Sequence, residues 1–188
     1  MRKAVELEKA YRLMNHGPTV LISSSYQGKA NVMAAAWTMP LDFSPPKVAI
    51  VIDKNTFSRG QIEKSGEFVI CIPTVQQTDL TTAVGSCSGE QMDKFAEYKI
   101  GTEPASLVAA PLIKGCAAWL ECKLISEPHI QNTYDLLLGE VVAAWADDTL
   151  FSQGHWHFSD DSQRTIHHVA GGHYLQIGHP VTPESLAD

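Results

Sequence analysis

Hairpin-connected β segments constrain this chain more than any other feature. Thr19 to Ser25 is rich in strand-forming residues, Tyr26-Gln27-Gly28-Lys29 turns it, and Ala30 to Trp37 reads as the return strand. Phe43-Ser44-Pro45-Pro46 is a rigid loop, and Lys47 to Ile52 is a compact apolar strand. Glu67 to Ile72 is another strand, ended by Pro73. Ala117 to Ile130 and Asp135 to Ala146 read as two long strands joined by Gln131 to Tyr134. Helices are fewer. Ala4, Leu7, Tyr11 and Met14 recur at helical spacing before Asn15-His16-Gly17-Pro18, which predicts a helix over 4–15. A short helix near 58–65 closes at Gly66, a capping box at Thr74 and Gln77 opens one over 75–84, and a helical piece lies around Asp93 to Lys99. The βαβα alternation of a doubly wound sheet is absent, so an antiparallel barrel or sandwich with peripheral helices fits best.

The 188 residues are expected to form one domain, 1–188, and 44% apolar against 19% charged residues is ordinary globular composition. A net charge of −7 argues against a nucleic-acid partner, which would call for a basic surface. The acidic N-terminus has no apolar signal region, and no apolar run reaches the ~18 residues of a spanning helix. Cys116 and Cys122 lie in one apparent strand, where six residues would separate them by about 20 Å, too far for a disulfide. Reduced thiols and a cytoplasmic protein are the expectation.

No dinucleotide fingerprint, P-loop, H-E-x-x-H or C-x-x-C is present. Gly85-Ser86-Cys87-Ser88-Gly89 imitates a nucleophile elbow, but a predicted helix precedes it where an elbow needs a strand. Six of the eight histidines fall in the last forty residues. His155, His157, His167 and His168 suggest a metal-binding module, although their spacing matches no established ligand set, and no metal is expected. Asp53-Lys54-Asn55-Thr56-Phe57-Ser58-Arg59 joins an apolar strand to a helix start, where free amides, neutral donors and two cations would cradle a phosphate. An ordinary N-cap with solvated charges accounts for the same residues. In Asn31 to Pro40, three consecutive alanines leave a shallow surface on which a flat ring could lie, with Trp37 as a wall. A strand packed tightly under a helix has the same composition.

Taken in order, these segments resemble a known family. Pro18-Thr19-Val20-Leu21-Ile22, Gly28 to Trp37, Phe43-Ser44-Pro45-Pro46, Lys64 to Val69, Asp93-Lys94-Phe95, Leu138-Gly139-Glu140-Val141 and His167 to Gly172 carry the likeness. The chain is similar to the flavin reductase-like FMN-binding split barrels, most of all to their flavoredoxin-like branch, from about residue 10 to 178. The resemblance implies a six-stranded antiparallel Greek-key split barrel with peripheral helices, and a homodimer with FMN near the interface. It implies that Asn31 and the backbone of Ala34, Ala35, Ala36 and Trp37 line the isoalloxazine, and that Lys54, Asn55, Thr56, Ser58 and Arg59 meet the ribityl-phosphate. Ser86, Ser88 and Lys94 match positions that close around the cofactor, and Tyr174 matches an aromatic near the flavin.

The activity so implied is an FMN-dependent oxidoreductase with NAD(P)H as co-substrate, passing electrons to free flavin, an electron-acceptor protein or a small molecule. One departure bears on it. Many relatives carry a histidine near the nicotinamide where this chain has Tyr134, and His129 lies close by in sequence. Tyr134 and His129 are therefore the candidates for that role, and a non-enzymatic FMN carrier is the rival reading. Flavin performs hydride and single-electron chemistry itself, so the missing acid–base motifs fit either.

Overall fold

In the structure, a computed structural model that describes residues 18–183, the first hairpin forms as its sequence predicts. Strands β1 (Val20–Tyr26) and β2 (Lys29–Ala35) pair across Gln27 and Gly28, whose φ angles of 51° and 78° make the left-handed two-residue turn that matches strand twist. The helix expected over 4–15 lies outside the described residues. β3 (Thr38–Phe43) and β4 (Pro46–Val51) follow, then α1 (Phe57–Ser65). Thr56 caps α1, accepting from the Arg59 N–H, and Gly66 ends it at φ 74°. After β5 (Glu67–Ile72), the Thr74 N–H donates to Gln77 Oε1 at 3.3 Å and a single tight turn leads into α2 (Thr78–Gly85). The one-turn α3 (Lys94–Glu97) hangs from Asp93, whose carboxylate accepts the Phe95 and Ala96 amides.

The small ladder β6 (Thr102–Glu103) with β7 (Leu112–Ile113) precedes β8 (Ala118–Ile125), and α4 (Pro128–Tyr134) precedes β9 (Leu136–Ala146). The strand expected over Ala117 to Ile130 is shorter, ending at Ile125. Pro128 opens a helix instead, and Asp135 at φ 55° closes it. Two more hairpins end the fold, β10 (Phe151–Ser152) with β11 (His155–Trp156) and β12 (Ile166–Ala170) with β13 (His173–Gln176).

The expected six-stranded split barrel is corrected. One antiparallel sheet contains seven strands in the order β2-β1-β5-β8-β9-β4-β3, and its edge strands β2 and β3 do not pair with each other. The extra strand is Thr38–Phe43, which follows β2 directly and pairs with β4 rather than folding back. Only Ala36 and Trp37 separate the two edges, a reach of at most about 10 Å from Ala35 to Thr38, so the sheet curls while remaining open.

Both faces of the central strands are buried. Val20, Ile22, Phe68 and Ile70 join one apolar cluster with Ile50, Ile62 and Leu137, while Leu21, Val69 and Cys71 join another with Val32, Val84 and Ile113. Gly139 sits against the Phe68 ring, where an added Cβ would come within 2.6 Å of Cζ. The four cysteines are free, and burial pushes the Cys122 thiol up to about 12. No helix among the described residues is long and apolar enough to cross a membrane.

Candidate functional site

Two cavities meet along β2. The first, about 210 Å³, has Ala34, Ala35 and Ala36 as its floor, Thr81, Thr82, Gly85 and Ser86 as one wall, and His168, Gly172 and Tyr174 as another. The second, about 380 Å³, lies between Asn31, the start of α1 at Asn55–Ser58, the loop Ser86–Gly89, and Lys94. Ala34, Gly85 and Ser86 line both, so one elongated ligand can span the two. Small residues let the walls approach. A Cβ on Gly85 would sit 3.2 Å from the Ala34 methyl, and the place of a Cβ on Gly89 is already taken by the Asn31 carboxamide.

The polar groups of these walls are incompletely satisfied. Asn31 is 2% exposed; its Nδ2 donates to Ser58 Oγ at 2.7 Å, but its Oδ1 has no partner. The buried Thr81 hydroxyl has none either. Leaving such groups unpaired typically costs ~1–3 kcal/mol each, which a ligand in the cavity would recover. Lys94 is 3% exposed, and its ammonium donates to the carbonyls of Val32 (2.9 Å) and Val84 (2.7 Å). Burial pulls its pKa down, with the nearby Cys87 thiol opposing that. No carboxylate among the described residues forms an ion pair with it. A buried cation held only by neutral carbonyls is suited to an anionic ligand.

Other predicted residues stand apart from this constellation. Arg59, 1% exposed, turns inward: Nε reaches Glu63 Oε1 at 2.7 Å, and the terminal nitrogens reach the carbonyls of Ile52 (2.8 Å) and Gln131 (2.9 Å). Lys54 is exposed, and its backbone N–H donates to Asp135 Oδ1. Trp37 lies at the exposed corner between β2 and β3. Tyr134 and His129 pack edge-to-face on exposed α4, with ring centroids 6.4 Å apart, and line neither cavity. Tyr174 does line the first, accepting from Thr82 Oγ1 at 3.1 Å and lying 5.1 Å from the His168 ring.

Thr81 and Thr82 are not singled out by the sequence, and His168 is singled out there as a metal-ligand candidate and not as a wall of this cavity. Only the alternation of the β12–β13 hairpin hinted that His168 and Tyr174 face one way. The histidine cluster does not assemble: His155 and His157 are exposed on a separate hairpin, and no three metal-ligating side chains converge among the described residues. Cys87 follows a helix, not a strand, and its thiol donates to the Ala83 carbonyl at 3.3 Å.

Residues 11–167 match the family model described as the flavin reductase like domain. The chain belongs to the flavin reductase-like family. The Escherichia coli K12 protein YddH, itself uncharacterized, is 48% identical over 181 residues, covering 95% of this chain and 96% of its own. The crystal structure of an FMN-binding domain of a flavin reductases-like enzyme from Shewanella baltica superimposes with a TM-score of 0.87 at 49% identity, covering 97% of each chain. Flavoredoxin of Desulfovibrio vulgaris shares the fold at a TM-score of 0.84 and 24% identity, over 100% of this chain and 99% of its own. This family membership gives the unsatisfied groups around Asn31 and Lys94 a chemical context.

Proposed function

We propose that this protein binds FMN in the joined cavities and acts as an oxidoreductase, accepting hydride from NAD(P)H and delivering electrons to free flavin, a partner protein or a small acceptor. The observation that carries the reading is Lys94, a buried ammonium with no carboxylate paired to it among the described residues, on the wall of a cavity that also holds the unpartnered Asn31 Oδ1. Bound FMN supplies hydride and single-electron chemistry that no side chain of the site could perform. The protein's share is to bind and orient.

Ala34, Ala35 and Ala36 offer a flat floor for the ring, with Thr81, Thr82 and Tyr174 as polar neighbours. Asn55, Thr56 and Ser58 at the start of α1, together with Ser86, Ser88 and Lys94, supply donors and charge for the phosphate end. Arg59 is a positioning residue that pins α1 to the end of β4 and to α4. Lys54 and Trp37 belong to the rim.

We include a homodimer in this reading. Met39, Leu41 and Phe43 alternate along the edge strand β3 and are exposed, Phe43 by 92%. A bare apolar edge next to the site invites a second copy. Phe43→Glu should convert a dimer to a monomer in light scattering; a wild-type monomer at every concentration would remove the dimer from the reading.

Purified protein should be yellow, or become so with added FMN, and colourless protein that takes up no FMN overturns the proposal. Anaerobic NADH or NADPH should bleach the bound flavin. Because Tyr134 and His129 lie away from both cavities, an FMN carrier is the second reading, and a flavin that neither nucleotide bleaches would favour it.

A further inference from the structure

A third cavity, about 490 Å³, opens beside the second and shares Asn55, Thr56 and Phe57 with it. One wall is a single face of α1, where Phe57, Gly60, Gln61 and Lys64 recur at i, i+3, i+4 and i+7. The other is the β1–β2 turn, with Tyr26, Gln27 and Lys29. Lys29 Nζ lies 4.7 Å from the Phe57 ring centroid, and Lys64 Nζ 5.9 Å from that of Tyr26. Two ammonium groups face one carboxylate, Glu90, in a chain whose net charge is −7. The local cation excess therefore runs against the protein's overall charge.

The groove is held open by its own framework. Gln61 is buried and bridges the walls, donating to the Lys29 carbonyl at 2.9 Å and accepting from Ser24 Oγ at 2.7 Å. Gly60 is the second observation. It occupies a helix interior, where alanine would hold the helix better. An added Cβ there would meet nothing within 4 Å, so no packing neighbour demands a glycine. Its missing side chain leaves groove.

We propose that this groove takes the adenylate half of a flavin dinucleotide, so that the site binds FAD more tightly than FMN. The inference rests on the flavin reading above. A ligand continuing from a first phosphate at Asn55–Ser58 enters this groove, where Lys29 and Lys64 supply charge for a second phosphate. Tyr26 and Phe57 supply ring faces for the base.

Dissociation constants for FMN, FAD and 5′-ADP, measured by calorimetry on the full chain at low and moderate salt, test it. FAD should bind about tenfold more tightly than FMN at low salt, a difference of ~1.4 kcal/mol that salt reduces. Lys64→Glu and Gly60→Leu should each bring the FAD:FMN ratio to about one, while FMN affinity stays within about twofold. Leucine is a good helix former, so Gly60→Leu fills the groove without breaking α1. 5′-ADP should compete with both flavins, because one of its two phosphates falls at Asn55–Ser58 where the FMN phosphate sits, and Lys64→Glu should weaken ADP binding as it weakens that of FAD. Equal affinities for FAD and FMN in the wild-type chain, or variants that weaken both alike, overturn this inference alone. Binding of neither flavin overturns the flavin reading and this one with it.

Discussion

Arg59 and Lys94 are both buried cations, and they are satisfied in opposite ways. Arg59 engages Glu63, two backbone carbonyls and, at 3.6 Å, Asp135, tying α1 to elements before and after it. Lys94 reaches two neutral carbonyls and lines a cavity. A cation surrounded by protein acceptors is a rivet, whereas one short of counter-charge is prepared for a ligand. Composition cannot separate the two; only the acceptors around them do.

The largest effect is expected at Arg59. Arg59→Met leaves the Ile52 and Gln131 carbonyls without this donor and Glu63 with only Gln131 Nε2, and should cost about 3–5 kcal/mol in urea unfolding, with a smaller loss of FMN affinity in whatever folds than Lys94→Met causes. A loss of FMN binding with stability intact would reverse the assignment.

Lys94→Met should do the converse. Unfolding free energy without ligand should move by less than about 1 kcal/mol, because the loss of the donor to the Val32 and Val84 carbonyls is offset by no longer burying a charge. FMN affinity should fall at least about tenfold, ~1.4 kcal/mol, by titration.

The smallest effect sharpens the rule with a third buried charge. Glu121 accepts from the Ser106 and Leu107 amides, Ser106 Oγ and Trp145 Nε1, between 2.6 and 3.0 Å. Burial alone would raise its pKa, but these donors outweigh it and hold the carboxyl below the ordinary 4.5. A depressed folded value means its stabilisation is present above pH 4.5 and is lost as the pH falls through that folded value. Glu121→Gln should cost about 1–2 kcal/mol at pH 7, and the gap from wild type should narrow below pH 4.5 in urea titrations. A gap independent of pH would assign the effect to packing.

Much of the fold was legible because its signals are local. Gln27-Gly28, Gly66 and the Thr74–Gln77 box each act within four residues, and each forms as expected. The errors came where local signals compete. Ala117 to Ile130 reads as one strand until Pro128 is recognised as a helix start, and Thr38 to Phe43 gains its identity as a strand only by pairing with β4. The site was legible in part: Asn31, the alanine floor, Asn55–Ser58, Ser86, Ser88 and Lys94 do come together. That His168 and Thr81 share a wall was invisible because their cavity joins segments nearly ninety residues apart.

The sequence by itself determined the antiparallel hairpins, the helix caps and the family, since alternation, turn residues and ordered motifs are written along the chain. Tertiary structure alone decided that the sheet curls without closing, and that Arg59 faces the interior while Lys94 faces a cavity. The physical reason is distance along the chain. The carbonyls that claim Arg59 include Gln131, 72 residues away, and one of those that hold Lys94 is Val32, 62 residues away. No local pattern reports which acceptors folding will bring to a charge.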